Sequence, residues 1–314
     1  MLISNSNQKK RPTFTLICLT GFLLNACTIA TGSKSQYFSS QNIPNLSMPP
    51  APLPAPNIGD KYYFANGWRE QVINTNGETY DLINKQKRKV VNFRNFTIPS
   101  PYIEGKTAEY FKESRVATNA LWPLDVGKSV KFTTEGRSVS KLSDRTTPFS
   151  QAWSCEVEGT ERVRVLAGEF DTYRVSCRRY SSRNKWWQTY TWYYAPELGT
   201  YVMRRSFHKK RGESVRELTA LRPTLKHEPK SVRTGIIRTW QNALENTKSG
   251  ERKNWTDQKT GTSVEVIPLV TYRAKNGLFC RTYKQYLTRN NTPRLYAGVA
   301  CRTGELKWRT PQTG

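Results

Sequence analysis

Residues 153–177 read WSCEVEGTERVRVLAGEFDTYRVSC, and the fold is decided here. Trp153, Cys155 and Val157 alternate with Ser154 and Glu156, the two-residue period of a strand with one buried face. Val163 and Val165 extend the pattern. Ala167-Gly168-Glu169-Phe170 turns the chain, and Tyr173, Val175 and Cys177 share a face on the way back. The two runs read as an antiparallel pair in which Cys177 can meet Cys155 across the sheet.

The β pattern continues in both directions. Lys61-Tyr62-Tyr63-Phe64 begins it, and Asn76-Gly77 is a hairpin signal between Val72-Ile73 and Tyr80-Leu82. Val90 to Phe93 alternates, and Leu121 to Lys128 forms a turn leading to Val130 and Phe132. Downstream, Trp186-Trp187 and Thr189 to Tyr194 form an aromatic strand, and Pro196 to Gly199 turns into Thr200 to Arg204. The segment AGEFDTYRVSC…TWYYAPELGTYVMRR is similar to uncharacterised bacterial periplasmic β-domains, a resemblance that implies a curved antiparallel sheet or open half-barrel. Its aromatic residues either fill a core or cup a lipid or hydrophobic ligand.

Beyond Pro223 and Pro229 the pattern changes. Ile236, Trp240 and Ala243 or Leu244 repeat at helical spacing over 236–246. Ser263 to Tyr272, Phe279 to Tyr283 and Tyr296 to Arg302 read as three strands. The expected fold is therefore mainly β, with two small antiparallel β-domains. An open half-barrel-like sheet spans 61–221, a basic linker spans 222–234, and a helix followed by a β-meander spans 235–314.

Six cysteines are present. Cys155 and Cys177, then Cys280 and Cys301, form two local pairs, which read as one disulfide per domain in an oxidising compartment. Loops of this length give each bridge about 3 kcal/mol by chain-entropy arithmetic. No C-x-x-C pair is present and the chain has two histidines, so neither a metal site nor a cofactor is expected.

The N-terminus reads as an address. Lys9, Lys10 and Arg11 precede the apolar run Phe14 to Leu24, too short to span a bilayer. The run ends in Leu24-Asn25-Ala26-Cys27, which resembles the bacterial lipobox. The resemblance implies a signal peptide over 1–26, lipidation (palmitate included) of Cys27, and, because Thr28 rather than Asp follows, sorting to the outer membrane. Residues 27–60, with their serines and MPPAPLPAP, read as a stiff Pro/Ser-rich tether.

The C-terminal residues add a second resemblance. Ala243-Leu244, Trp255…Thr260-Gly261, Val266-Ile267-Pro268, Phe279-Cys280-Arg281-Thr282-Tyr283, Gly298-Val299-Ala300-Cys301-Arg302 and Gly304…Trp308 occur in order. Residues 235–310 thereby resemble the C-terminal domain of the 17 kDa rickettsial surface antigen family. That resemblance implies an outer-membrane lipoprotein without known catalysis, facing the periplasm or the cell surface.

The charge narrows the partners. The 314 residues hold 50 Lys or Arg against 24 Asp or Glu, a net +26. Cleavage after residue 26 removes three positive charges and no negative ones, leaving +23. Envelope anions match this: lipopolysaccharide phosphates, phospholipid headgroups and peptidoglycan carboxylates. No nucleic-acid-binding module is recognisable, so nucleic acid is not the expected partner. Arg281 and Arg302 each follow a paired cysteine. They read either as an anion-binding pair or as structural cations held by Glu245, Glu265 or backbone carbonyls.

No G-x-S-x-G, H-E-x-x-H or Walker motif occurs, and Glu156, Glu158 and Asp171 read as charges offsetting nearby Arg residues rather than as a glycosidase pair. The expectation is a non-catalytic surface-antigen-type lipoprotein making structural or adhesive contact with anionic envelope components. The alternatives are a lipid- or hydrophobic-ligand-binding module and an accessory subunit, bound to other envelope proteins, of a secretion machine.

Overall fold

The computed structural model describes residues 46–311. The expected signal peptide, Cys27 and the first part of the expected tether lie outside the described residues.

Twelve antiparallel strands follow one another in chain order. The first six are β1 (Lys61–Phe64), β2 (Arg69–Thr75), β3 (Thr79–Asn84), β4 (Lys89–Phe93), β5 (Tyr102–Glu104) and β6 (Ala108–Ser114). The next six are β7 (Ser129–Ser140), β8 (Thr146–Val165), β9 (Gly168–Ser181), β10 (Trp186–Ala195), β11 (Thr200–His208) and β12 (Gly212–Arg222). Each pairs with the next, and β1 also pairs with β12, placing Lys61 opposite both Gln71 and Arg222. The sheet thus closes into a barrel, which removes its free edges.

Closure corrects the expectation of two small domains built on an open half-barrel. The bond between β1 and β12 joins residues far apart in sequence, and local alternation carries no information about such a pairing. The 11-residue β12 falls inside the stretch expected to be sheet, but nothing in its own sequence marks it as the strand that closes on β1.

The C-terminal elements are α1 (Lys230–Asn246), β13 (Lys253–Thr256), β14 (Ser263–Arg273), β15 (Phe279–Arg289), β16 (Thr292–Gly304) and β17 (Lys307–Arg309). The helix therefore begins within the stretch read as a linker. Val232, Ile236, Trp240, Ala243 and Leu244 form its buried stripe. Gly235 leaves room for Trp255, whose ring atoms would stand 2.3–2.6 Å from any Cβ there.

The meander is not a separate body. β16 joins β12 beyond the point where β11 leaves it, with Ala220 opposite Gly298 and Leu221 opposite Ala297. A Cβ on Gly298 would lie 2.5 Å from that of Ala220, so this backbone approach requires glycine. One core then runs from Leu218 and Leu221 of the barrel through Ile236, Trp240, Tyr283 and Tyr296. The tip of the β8–β9 hairpin adds Leu166, which packs on Cys280, Val299 and Cys301.

Residues 46–60 lie against the barrel. Proline lacks an N–H, so this segment offers mainly carbonyls, and barrel side chains supply the donors. Thr160 Oγ1 donates to Leu46 O (2.7 Å), Tyr173 Oη to Pro49 O (2.9 Å) and Tyr194 Oη to Pro52 O (2.9 Å). Arg94 Nε donates to Pro54 O (2.5 Å). Ala51 and Leu124 exchange both backbone bonds, and Met48, Ala51 and Leu53 join the aromatic cluster of Trp122, Trp153, Tyr173, Trp192 and Tyr194.

Candidate functional site

In an antiparallel barrel alternate hairpins come to the same end. The turns 65–68, 85–88, 105–107, 141–145, 182–185 and 209–211 therefore form one rim. Neighbouring turns touch: Lys85 Nζ donates to Gly67 O (3.3 Å) and Lys141 N to Thr107 O (2.8 Å), and Lys209 N of the last turn donates to Trp187 O at the start of β10 (3.0 Å). These six turns hold eleven Lys or Arg and one acid, Asp144. The connections at the other end, 76–78, 94–101, 115–128, 166–167 and 196–199, hold three of each sign.

Ten of the eleven rim cations are exposed, Arg88 being half-buried. Among them Lys141 has an ion-pair partner, Glu104 at 3.0 Å. Exposed like charges on adjoining turns repel one another within a Debye length of about 8 Å. The sequence accepts that repulsion at one end of the barrel, where the summed field attracts anions.

The positive charge continues inward. Cross-strand register places Gln188, Tyr190 and Trp192 on the same face as Arg179, Arg204 and Arg216. Arg179 lies over the rings of Trp187 (4.4 Å) and Trp153 (5.7 Å). Arg216 pairs with Glu70 (3.0 Å) and lies over Phe64 (5.1 Å) and Trp68 (5.5 Å). Trp68 Nε1 donates to the same Glu70 carboxylate at 2.6 Å. Desolvation, with Arg179 nearby, pushes the Lys112 ammonium down to about 8. Trp187 Nε1 donates to His208 Nε2 (2.5 Å), and desolvation followed by surrounding cations pushes that imidazole's pKa down.

A cavity of about 420 Å³ opens within the barrel, bordered by Tyr80, Phe96, Trp192, Tyr201 and Arg204 and reaching Arg88, Glu104 and Gly105 at the rim. Stacked or tilted aromatic pairs form part of its wall, among them Phe64–Tyr201 and Phe96–Trp192.

Cys27 lies outside the described residues. Cys155 bonds Cys177 and Cys280 bonds Cys301, each directly across an antiparallel pair. Arg281 is buried and serves as a cap for α1: its Nη1 donates to Leu244 O (2.8 Å) and Thr247 O (2.9 Å), and Nη2 to Ser249 Oγ (3.2 Å). Arg302 pairs with Glu245, whose other contact is the Trp308 indole N–H at 2.7 Å. Both guanidiniums are thus engaged by the helix end, Arg281 buried there and Arg302 at the surface. Glu158 pairs with Arg174 (3.0 Å) and Asp171 with Arg162 (2.6 Å).

The basic rim escaped the sequence reading. Its signal was present in Lys85 to Arg88 and Lys209 to Arg211, but pooling scattered turns requires the number of strands between them. The lumen cations were hidden because Arg204 and Arg216 alternate with residues that face outward.

A family model described as 17 kDa outer membrane surface antigen matches residues 242–309, from the last turn of α1 through β17. The C-terminal region is of that type. Among solved structures, the chain is similar to the hypothetical lipoprotein YmcC of Escherichia coli, with a TM-score of 0.38 and 11% identity. That alignment covers 52% of this chain and 84% of the other. Comparison with curated proteins finds no match.

Proposed function

We propose that this chain is a non-catalytic outer-membrane lipoprotein, anchored through Cys27, whose barrel adheres to phosphate- and carboxylate-bearing envelope components through its basic rim. The rim's eleven cations against one acid carry this reading. The surface-antigen type of the C-terminal region supports the envelope location. Residues 46–60 pack at the opposite end of the barrel and leave the rim uncovered.

The test is partition of the full mature protein onto vesicles across a salt series. Lipopolysaccharide-containing vesicles should bind it strongly at low salt and weakly at high salt, and neutral phosphatidylcholine vesicles should not bind it. Equal binding to both kinds of vesicle, insensitive to salt, contradicts the proposal.

A further inference from the structure

The lumen has a chemistry distinct from the rim's. Its volume, about 420 Å³, lies within the rough range of 300–1,000 Å³ found for small-molecule sites. The rings of Tyr80, Phe96, Trp192 and Tyr201 are among those that border it, and so do Asn92 and Arg204. Arg216 is neutralised by Glu70. Arg204 differs: its guanidinium forms no hydrogen bond or ion pair with the described residues, and it lies near the Tyr190 ring at 5.8 Å.

An acyl chain suits this lining poorly. It would leave the half-buried Arg204 guanidinium facing hydrocarbon without a partner, which costs free energy, whereas the Asn92 amide already accepts from Ser100 Oγ (2.5 Å) and keeps spare hydrogen-bonding capacity toward the cavity. A small inorganic anion would satisfy Arg204 but leave the aromatic faces unused. A neutral sugar would use the rings and the amide but not the charge. A polar ring bearing one anionic group uses all three: its C–H face lies on an aromatic ring, its hydroxyls meet the amide, and its anion takes the guanidinium fork.

We infer that the barrel lumen binds an acidic sugar unit, a pyranose carrying one carboxylate or phosphate, with Arg204 receiving the anion and the aromatic wall receiving the ring. Half-buried Arg88 stands where the cavity meets the rim, so the rim's field raises the local concentration of such anions at the mouth.

Calorimetric titration of the full mature chain tests this with D-glucuronate, D-glucose 6-phosphate, D-glucose, sodium phosphate and laurate as probes. Glucuronate tests a carboxylate source and glucose 6-phosphate a phosphate source, and binding of either supports the inference. Glucose, phosphate and laurate should each bind about ten-fold more weakly or worse, the loss expected for a missing charge-assisted contact, missing ring contacts or a half-buried cation left unpaired. Arg204→Gln should lower acidic-sugar affinity by about ten-fold or more with an unchanged melting temperature. If that variant does not fold, Arg204→Lys, which keeps the charge, should still prefer glucuronate or glucose 6-phosphate over glucose. Absence of binding by both acidic sugars, unchanged affinity in Arg204→Gln, or tighter binding of laurate overturns the inference. Replacing Lys209, Lys210 and Arg211 by Gln weakens vesicle adhesion and leaves lumen affinity within about three-fold, because screened surface charge acts mainly on encounter. Failure of lumen binding is thereby distinguishable from failure of rim adhesion.

Discussion

Asp60 and Arg294, 234 residues apart in sequence, form a buried ion pair at 2.5 Å where the start of β1 meets β16. Asp60 is 1% exposed and also accepts the Tyr296 hydroxyl (3.1 Å) and the Asn57 N–H (2.9 Å). Burial pushes its carboxyl pKa up and Arg294 pulls it back. The pair clamps the first barrel strand to the C-terminal sheet. Asp60→Asn should therefore cost about 3 kcal/mol, because it removes the carboxylate beside a largely buried guanidinium, which keeps the Ala55 carbonyl (2.8 Å). The double variant Asp60→Asn, Arg294→Met should recover part of that loss in urea unfolding. Additive losses would show that the two residues act independently.

Arg281 and Arg302 should separate in the same assay. Arg281→Gln removes donors from the last carbonyls of α1 and should cost about 1–3 kcal/mol. Arg281→Lys should not restore it, since one ammonium cannot reproduce the fork that reaches Leu244, Thr247 and Ser249. Arg302 has a 42% exposed side chain, so Arg302→Gln should cost no more than about 1 kcal/mol. Equal costs for the two would contradict the assignment of Arg281 to the helix cap.

Lys112 supplies a pH signature. Its folded pKa, about 8, lies below the ordinary lysine value of 10.5 because burial disfavours the ammonium. Below about 8 both folded and unfolded chains hold the proton, and the cost is constant. Between about 8 and 10.5 the unfolded chain holds a proton that the folded one has released, so this group's contribution to stability rises with pH. Lys112→Met should be more stable than the parent at pH 7, and melting curves at a series of pH values should show that gap narrowing as pH rises through this window. A constant gap contradicts the assignment.

Much of the strand content was legible from particular residues. Trp153, Cys155 and Val157 facing Tyr173, Val175 and Cys177 give the long β8–β9 hairpin its register. Ile236, Trp240 and Leu244 give the helix its buried stripe. What was not legible depended on contacts between distant strands. Lys61 carries no mark that its second partner is Arg222, and Gly298 shows its role only once Ala220 is beside it. The rim follows from the same missing link, because Lys87, Arg183 and Lys210 belong together only through barrel closure. Proline at 52, 54 and 56 reads as part of a stiff spacer, whereas residues 46–60 lie docked on the barrel. That docking depends on Tyr194 and Arg94, donors that lie far along the chain.

In the proposed function the rim, rather than net charge in general, carries adhesion. Two variants lower the charge by the same amount. One replaces Lys87, Lys106, Arg183, Lys185, Lys209 and Lys210 of the rim with Gln. The other replaces exposed Lys226, Lys230, Lys248, Lys253, Lys259 and Lys275, which lie on the C-terminal elements and the segment before them. The measurement is partition of each onto lipopolysaccharide-containing vesicles at low salt. With about 1 kcal/mol for each cation near an anionic surface, the rim variant should lose nearly all binding. The second variant should bind close to the parent. Equal loss in both variants would show that diffuse charge is responsible and would contradict the account.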